Sequence, residues 1–267
     1  MTKVKSQKSE VRSQKCRDKR IIQLTVYCVL ISVFCFLMSV LPYSAGAAAS
    51  DKQSFTYYIY WAGIKGGTAV LDYENTKEGF VVRTHATSLP VISLFYKVDD
   101  FAQSTLYPDG YPVNYIIKIQ EGRHRREKAS WFERKEEGGP TKVIYQNVLD
   151  DEKKEFYFDT PVYDMLSAFY AMTKMPLEPG SSKYFDIFDT KKLSHTEVRV
   201  LRKEKIRVQS REFNTILIKP NLQSEGIFKR TGDIFIWVTD DDRKLPVLMK
   251  SKALIGTFTV ELAEGGS

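Results

Sequence analysis

The chain has 267 residues, 43% of them hydrophobic and 27% charged, a globular composition that excludes collagen, coiled coil and wholesale disorder. Its formal charge of +7 is concentrated at one end. Residues 1–50 carry eight Lys and Arg against Glu10 and Asp18, whereas residues 51–267 carry 32 basic and 31 acidic residues. So neutral a body has no field to gather a phosphate backbone, and nucleic acid is not an expected partner.

The basic stretch to Arg20 is followed by Ile21–Leu41, an apolar run broken only by Gln23, Thr25, Ser32 and Ser39. At ~1.5 Å per residue such a run can span a bilayer as a helix. Pro42 and the small-residue tract Ala45-Gly46-Ala47-Ala48-Ala49 follow, with the small–x–small form that signal peptidase reads. Residues 1–49 are therefore expected to be a signal peptide, cut after Ala47 or Ala49, or else a retained membrane anchor. Both place residues 50–267 outside the cytoplasm, in the periplasm, because the basic cluster stays inside. A lipoprotein is disfavoured, since Phe34 precedes Cys35 where a small residue is needed. All three cysteines (Cys16, Cys28, Cys35) lie in this leader, so the body holds no thiol catalyst, disulfide or Cys-based zinc site.

Residues 50–267 read as one exported β domain. Phe55–Trp61 alternates, with Phe55, Tyr57, Ile59 and Trp61 on one face and Tyr58 and Tyr60 on the other, and stops at Gly63. Further strand patterns cover 68–73, 79–87, 100–106, 113–120, 128–134, 141–146, 155–158, 183–188, 196–203, 213–219, 234–239, 247–253 and 257–262, with turn chemistry between them such as Tyr107-Pro108-Asp109-Gly110. Ser88–Tyr96, interrupted by Pro90, suits a loop or short helix at a barrel mouth. Pro161–Lys174 has a helical period in Val162, Met165, Leu166, Phe169 and Met172, with Thr160 as N-cap and Pro161 at its start. The expected fold is mainly β: a single curled antiparallel sheet or open β-barrel with one amphipathic helix packed on or in it.

No arrangement of residues commits the chain to catalysis. His85, His124 and His195 are scattered, no His-x-x-x-His pair occurs, and no Gly-x-Ser-x-Gly elbow is present. Asp240-Asp241-Asp242 lacks the alternation and terminal Glu of a calcium loop and reads as a hairpin turn. Arg123-His124-Arg125-Arg126, Lys128, Arg134 and Lys135 are interleaved with Glu121, Glu127, Glu133, Glu136 and Glu137, which reads as a charge-balanced, solvated hairpin with its charges outward. Neither a metal nor a cofactor is expected.

Tyr58-Ile59-Tyr60-Trp61-Ala62-Gly63-Ile64-Lys65-Gly66-Gly67-Thr68-Ala69 resembles the opening of an exported bacterial family catalogued as a domain of unknown function (number three-one-zero-eight). Asp164–Tyr170, Gly232–Asp241, and Leu245-Pro246-Val247 leading to Ile255-Gly256-Thr257 resemble it in the same order. The resemblance implies a Gram-negative cell envelope and no established activity. The closing hairpin is also similar to those of periplasmic lipoprotein-carrier half-barrels, although this chain has one strong helix where those carriers use several as a lid.

The aromatic excess suits a sheet that faces an apolar ligand on its concave side, or equally a well-filled core. The leading expectation is a non-enzymatic periplasmic protein binding a lipid or acyl chain in envelope assembly or maintenance, through Trp61, Leu94, Phe95, Phe169, Tyr170 and Trp237. The alternative is an interaction module with a filled core and envelope proteins as partners. A third reading is a hydrolase using Asp164, His85 or His195.

Overall fold

The computed structural model describes residues 52–77, 79–221, 233–253 and 256–265. Residues 1–49, where a leader and its cleavage sites are expected, Gly232 and Ile255 lie outside the described residues. The strands are β1 Lys52–Trp61, β2 Ile64–Thr76, β3 Gly79–Ser88, β4 Val98–Leu106, β5 Pro112–Glu121, β6 His124–Arg134 and β7 Thr141–Asn147. They continue as β8 Glu152–Phe158, β9 Ser182–Asp189, β10 Lys192–Val208, β11 Arg211–Asn221, β12 Ile234–Thr239, β13 Pro246–Ala253 and β14 Gly256–Gly265. Two helices accompany them, α1 Pro90–Ser93 and α2 Met165–Thr173.

All fourteen strands join one antiparallel sheet in the order β8-β7-β6-β5-β4-β3-β2-β1-β14-β13-β12-β11-β10-β9. Two meanders thus meet where the first strand pairs with the last, Ile59 opposite Val260. Local chemistry sets each hairpin. Ala62 and Gly63 both take positive φ (48° and 83°), so Trp61 pairs directly with Ile64 in a two-residue turn whose twist suits the strands. Period-two burial sets each face: Val98, Asp100, Ala102, Ser104 and Leu106 of β4 are buried while the residues between them are half-exposed.

The sheet curls but does not close by hydrogen bonds, because β8 and β9 are its two edges. Phe185 and Ile187 of β9 face the core, and Phe188 points the other way. It packs against Tyr145, Phe156 and Phe158 at centroid distances of 6.3, 5.0 and 5.9 Å, on the face of β7 and β8 that carries the buried Val143. The edges therefore overlap face against face. Polar ties cross the same seam: Lys191 pairs with Glu152, and Lys128 Nζ donates to Thr190 Oγ1 at 2.9 Å. Exposed Lys153, Lys154 and Glu155 make the free edge of β8 a poor template for a further strand.

The helix lies inside this curl. Every residue of α2 except Ala171 is buried, and the helix contacts β4 on one wall and β9 on the other. Its start differs from the expected one. Tyr163 pairs with Ile187 as an isolated parallel bridge, its N–H donating to Asp186 O (2.8 Å) and its carbonyl accepting from Phe188 (2.9 Å). That pairing holds 160–163 extended, sends the Thr160 hydroxyl to Asp186 Oδ2 (2.7 Å), and leaves the capping to Asp164. Because β strands alternate in direction, the curl has two ends. The α2 end gathers the turns after β2, β4, β6, β10 and β12, and the α1 end gathers those after β1, β3, β5, β7 and β9.

Candidate functional site

At the α2 end the interior is stoppered. Asp164, with no exposed surface, accepts hydrogen bonds from Leu166 N (2.8 Å), Ser167 N (3.0 Å) and Ser104 Oγ (2.7 Å), while Ser167 Oγ accepts from Asp164 N (2.9 Å). This capping box ties the first turn of α2 to β4. Burial pushes the Asp164 carboxyl up to about 6 against the pull of those bonds. Tyr170 stacks on Tyr73 (6.4 Å) and tilts onto Phe80 (5.6 Å). Its ring lies so close to the β4–β5 turn that a Cβ on Gly110 would fall 2.5 Å from Cε1.

Nearer the α1 end one interior wall is polar. Register across β4, β5 and β6 sets Val98, Glu121 and His124 in one row, Asp100, Ile119 and Arg126 in the next, and Ala102, Ile117 and Lys128 in the third. Buried Ala102, Ser130 and Phe132 share the parity of these residues, so the ionisable groups point inward. Asp100 is 1% exposed and Glu121 0% exposed. Desolvation pushes Asp100 up to about 7, against a hydrogen bond from Gln120 N (3.0 Å) and the nearby Arg126 charge. Desolvation likewise pushes Glu121 up to about 8 despite Arg126, and lowers Lys128 to about 8. The His124 imidazole is held below its ordinary value by burial and by Arg126, Lys128 and Arg125. Beside this wall, β3 and β2 set the small side chains of Ala86 and Ala69 in the Asp100 row, with Thr84 and Leu71 in the Ala102 row.

The inward charges correct the sequence reading of residues 121–137 as a hairpin with its charges outward. Glu121, Arg126 and Lys128 face the inside of the curl, where Asp100 and Glu121 stand near Arg126, while Arg125 and Glu133 stay exposed. The parity of Phe132 with Ser130, Lys128 and Arg126 was the available signal.

The α1 end also carries an apolar collar. Trp61 (39% exposed), Ile64, Val91, Leu94 (81%), Phe95 (88%), Val148 and Leu149 are exposed there, on the turns after β1, β3 and β7. The short helix α1, which has no buried residue, lifts Val91, Leu94 and Phe95 outward. Tyr96 turns back to pack on the core, over Gly122 at a spacing that leaves no room for a Cβ there (2.8 Å).

The six residues expected to line one concave face do not share one. Phe169 and Tyr170 are inside, on α2. Leu94 and Phe95 are on the collar, and Trp61 stacks on Phe258 (6.0 Å, 9°) at its inner edge. Trp237 is on the outer face, because Ile236 and Val238 on either side of it are the buried members of β12. There its Nε1 donates to Glu204 Oε1 at 2.7 Å and holds that carboxyl below its ordinary range.

The residues weighed for hydrolysis also lie apart. His85 meets Asp99 (2.8 Å) and His195 meets Asp186, both exposed pairs on the outside, whereas Asp164 caps a helix inside. The acidic turn after β12 is built as expected, with Asp241 accepting from Thr239 Oγ1 (2.6 Å), Arg243 N (3.1 Å) and Lys244 N (3.1 Å). Among the described residues no group of three His, Cys, Asp or Glu is placed to hold a metal ion.

An overlapping, helix-stoppered antiparallel sheet defines the class: an open, β-barrel-like protein. Among solved structures, the crystal structure of a β-barrel-like protein of domain of unknown function DUF1849 from Brucella abortus is similar, with a TM-score of 0.53 at 9% identity over 82% of this chain and 98% of that one. At that identity the likeness is one of fold. No curated protein matches the sequence. The model of the protein family of unknown function DUF3108 matches residues 56–263, and the chain belongs to that family.

Proposed function

We propose that this is a non-enzymatic protein of the periplasm that takes an apolar or lipid-like ligand at its α1 end, in envelope assembly or maintenance. The apolar collar carries the reading. Leu94 and Phe95 stand almost wholly in water, and burying two such side chains against a ligand is worth about 3–6 kcal/mol. Neither contributes packing that would explain its presence. With α2 filling the other end, the collar is the natural entry. A second reading, an interaction module that docks envelope proteins through the same collar, is favoured by the continuity of the core, in which α2 and the sheet form a single buried cluster.

The discriminating experiment is native mass spectrometry of the protein purified from its own envelope, before and after organic extraction. An extractable lipid mass, lost in Leu94→Ser/Phe95→Ser with the folded stability unchanged to within about 0.5 kcal/mol, is the expected result. A bare chain mass from the wild type would overturn ligand binding in favour of the module.

A further inference from the structure

The polar wall holds two groups whose bonding is incomplete. Asp100 is 1% exposed, and its Oδ1 accepts from Gln120 N while its Oδ2 has no hydrogen-bond partner among the described residues. Arg126, one strand beyond Ile119 in the same row, has its Nε and Nη2 buried and equally unpartnered. These two nitrogens form the side-on edge of a guanidinium, whose parallel N–H groups match two oxygens of one carboxylate or phosphate. Leaving the donors of a guanidinium unmet in a buried place is costly. On the same wall Lys128 is met by Thr190, and the backbone amide of Gln120 by Asp100. The small side chains of Ala86 and Ala69 beside Asp100 keep bulk away from the row.

We propose that Arg126 and Asp100 form an oxyanion site that recognises the headgroup of an amphiphile whose tail lies toward the collar. The Nε–Nη2 edge takes two oxygens of a carboxylate or phosphate, and Asp100, in its protonated form, donates from Oδ2 to one of them. Lys128 from β6 adds positive field, while burial favours the protonated form of Glu121, which opposes an anion less than a carboxylate would. The proposal rests on the ligand reading above and names the ligand's chemistry: an acyl carboxylate or a lipid phosphate.

The test uses the full exported chain and four probes: palmitate, dihexanoyl phosphatidate, methyl palmitate (a tail with no oxyanion) and inorganic phosphate (an oxyanion with no tail). Binding is followed by titration calorimetry. Palmitate or phosphatidate is expected to bind at least tenfold more tightly than methyl palmitate, and which of the two does so identifies the headgroup. Arg126→Gln should remove that preference and leave methyl palmitate unchanged. Arg126→Lys, which keeps the charge and loses the fork, serves as the second variant should Gln prevent folding, and should retain only part of the preference. Equal binding of palmitate and methyl palmitate, unmoved by either variant, would overturn the oxyanion site and leave the ligand reading standing. Phosphate binding without either tailed probe would keep the fork and overturn the amphiphile. Silence with all four probes would overturn both.

Discussion

Asp164 allows the role of the buried helix to be measured, because one side chain caps α2, joins it to β4 and titrates in a useful range. Replacing it with Ala removes the acceptor that Leu166 N, Ser167 N and Ser104 Oγ share at a fully buried position. At about 1–3 kcal/mol for each orphaned donor, the gross loss is about 4–5 kcal/mol. Part of it is returned at neutral pH. The wild-type carboxyl is pushed up to about 6 by burial, so it stays protonated in the fold after the unfolded chain has ionised. The native state then binds more protons than the unfolded state, and stability falls as pH rises from about 4 to about 6, by about 3 kcal/mol in total. The Ala variant lacks that slope. Its deficit in urea unfolding should therefore be about 4–5 kcal/mol at pH 4.5 and shrink toward about 2 kcal/mol at pH 7.5. Asp164→Asn keeps an acceptor for both amides and an N–H₂ for Ser104, and should match the wild type to within about 1 kcal/mol at pH 7.5. An Ala deficit below about 1 kcal/mol at pH 4.5, or one that grows with pH, would refute the assignment of Asp164 as cap and tie.

The polar wall makes a related prediction of the same sign. Asp100 and Glu121, pushed up to about 7 and about 8, should make stability fall from about pH 5 to about pH 8 by as much as about 1.4 kcal/mol per pH unit for each group. Asp100→Asn/Glu121→Gln should flatten the melting temperature against pH above 6, and an unchanged slope would remove these groups as its source. Gly110→Ala combines a φ of +83° with a Cβ 2.5 Å from the Tyr170 ring and should cost about 2–4 kcal/mol in thermal unfolding. Pairing it with Tyr170→Leu should recover only the steric part, and purely additive losses would show that the ring does not press on the turn.

Strands were legible because alternation and turn chemistry agree along the chain: β4 buries every second residue throughout, and β12 does so from Ile234 to Val238. The helix was legible from its apolar spacing, but not its first residue, since the pairing of Tyr163 with Ile187 joins segments that nothing local connects. The face of a strand was legible only where one parity is plainly polar. In Phe235-Ile236-Trp237-Val238 both parities are apolar, and nothing in the sequence puts Trp237 outside. The converse holds in Arg125-Arg126-Glu127-Lys128, where both parities are charged and the inward row was hidden. The acids beside that row, Asp100 and Glu121, come from β4 and β5, so its burial is a property of the sheet and not of the segment.

If residues 1–49 are an export leader, the direction in which the collar faces constrains its role. Residue 52 begins β1 at the α2 end, and Trp61 finishes it at the α1 end, so any anchor and the collar attach to opposite ends of one strand. Ten residues of strand span about 33 Å, and the ten residues 42–51 reach no further than about 33–36 Å when fully extended. A chain held by an uncleaved leader could bring Leu94 and Phe95 back to its own bilayer only by spending that whole length along the outside of the curl. An anchored form would thus present its collar away from the anchoring membrane, suited to receiving a ligand from or passing it to the periplasmic side. Exchange with the anchoring bilayer itself would use the whole of that tether unless the leader is cut. Cleavage therefore decides which surface the collar can meet, and the mass of the purified chain, near that of residues 48–267 or of 1–267, reads the outcome directly.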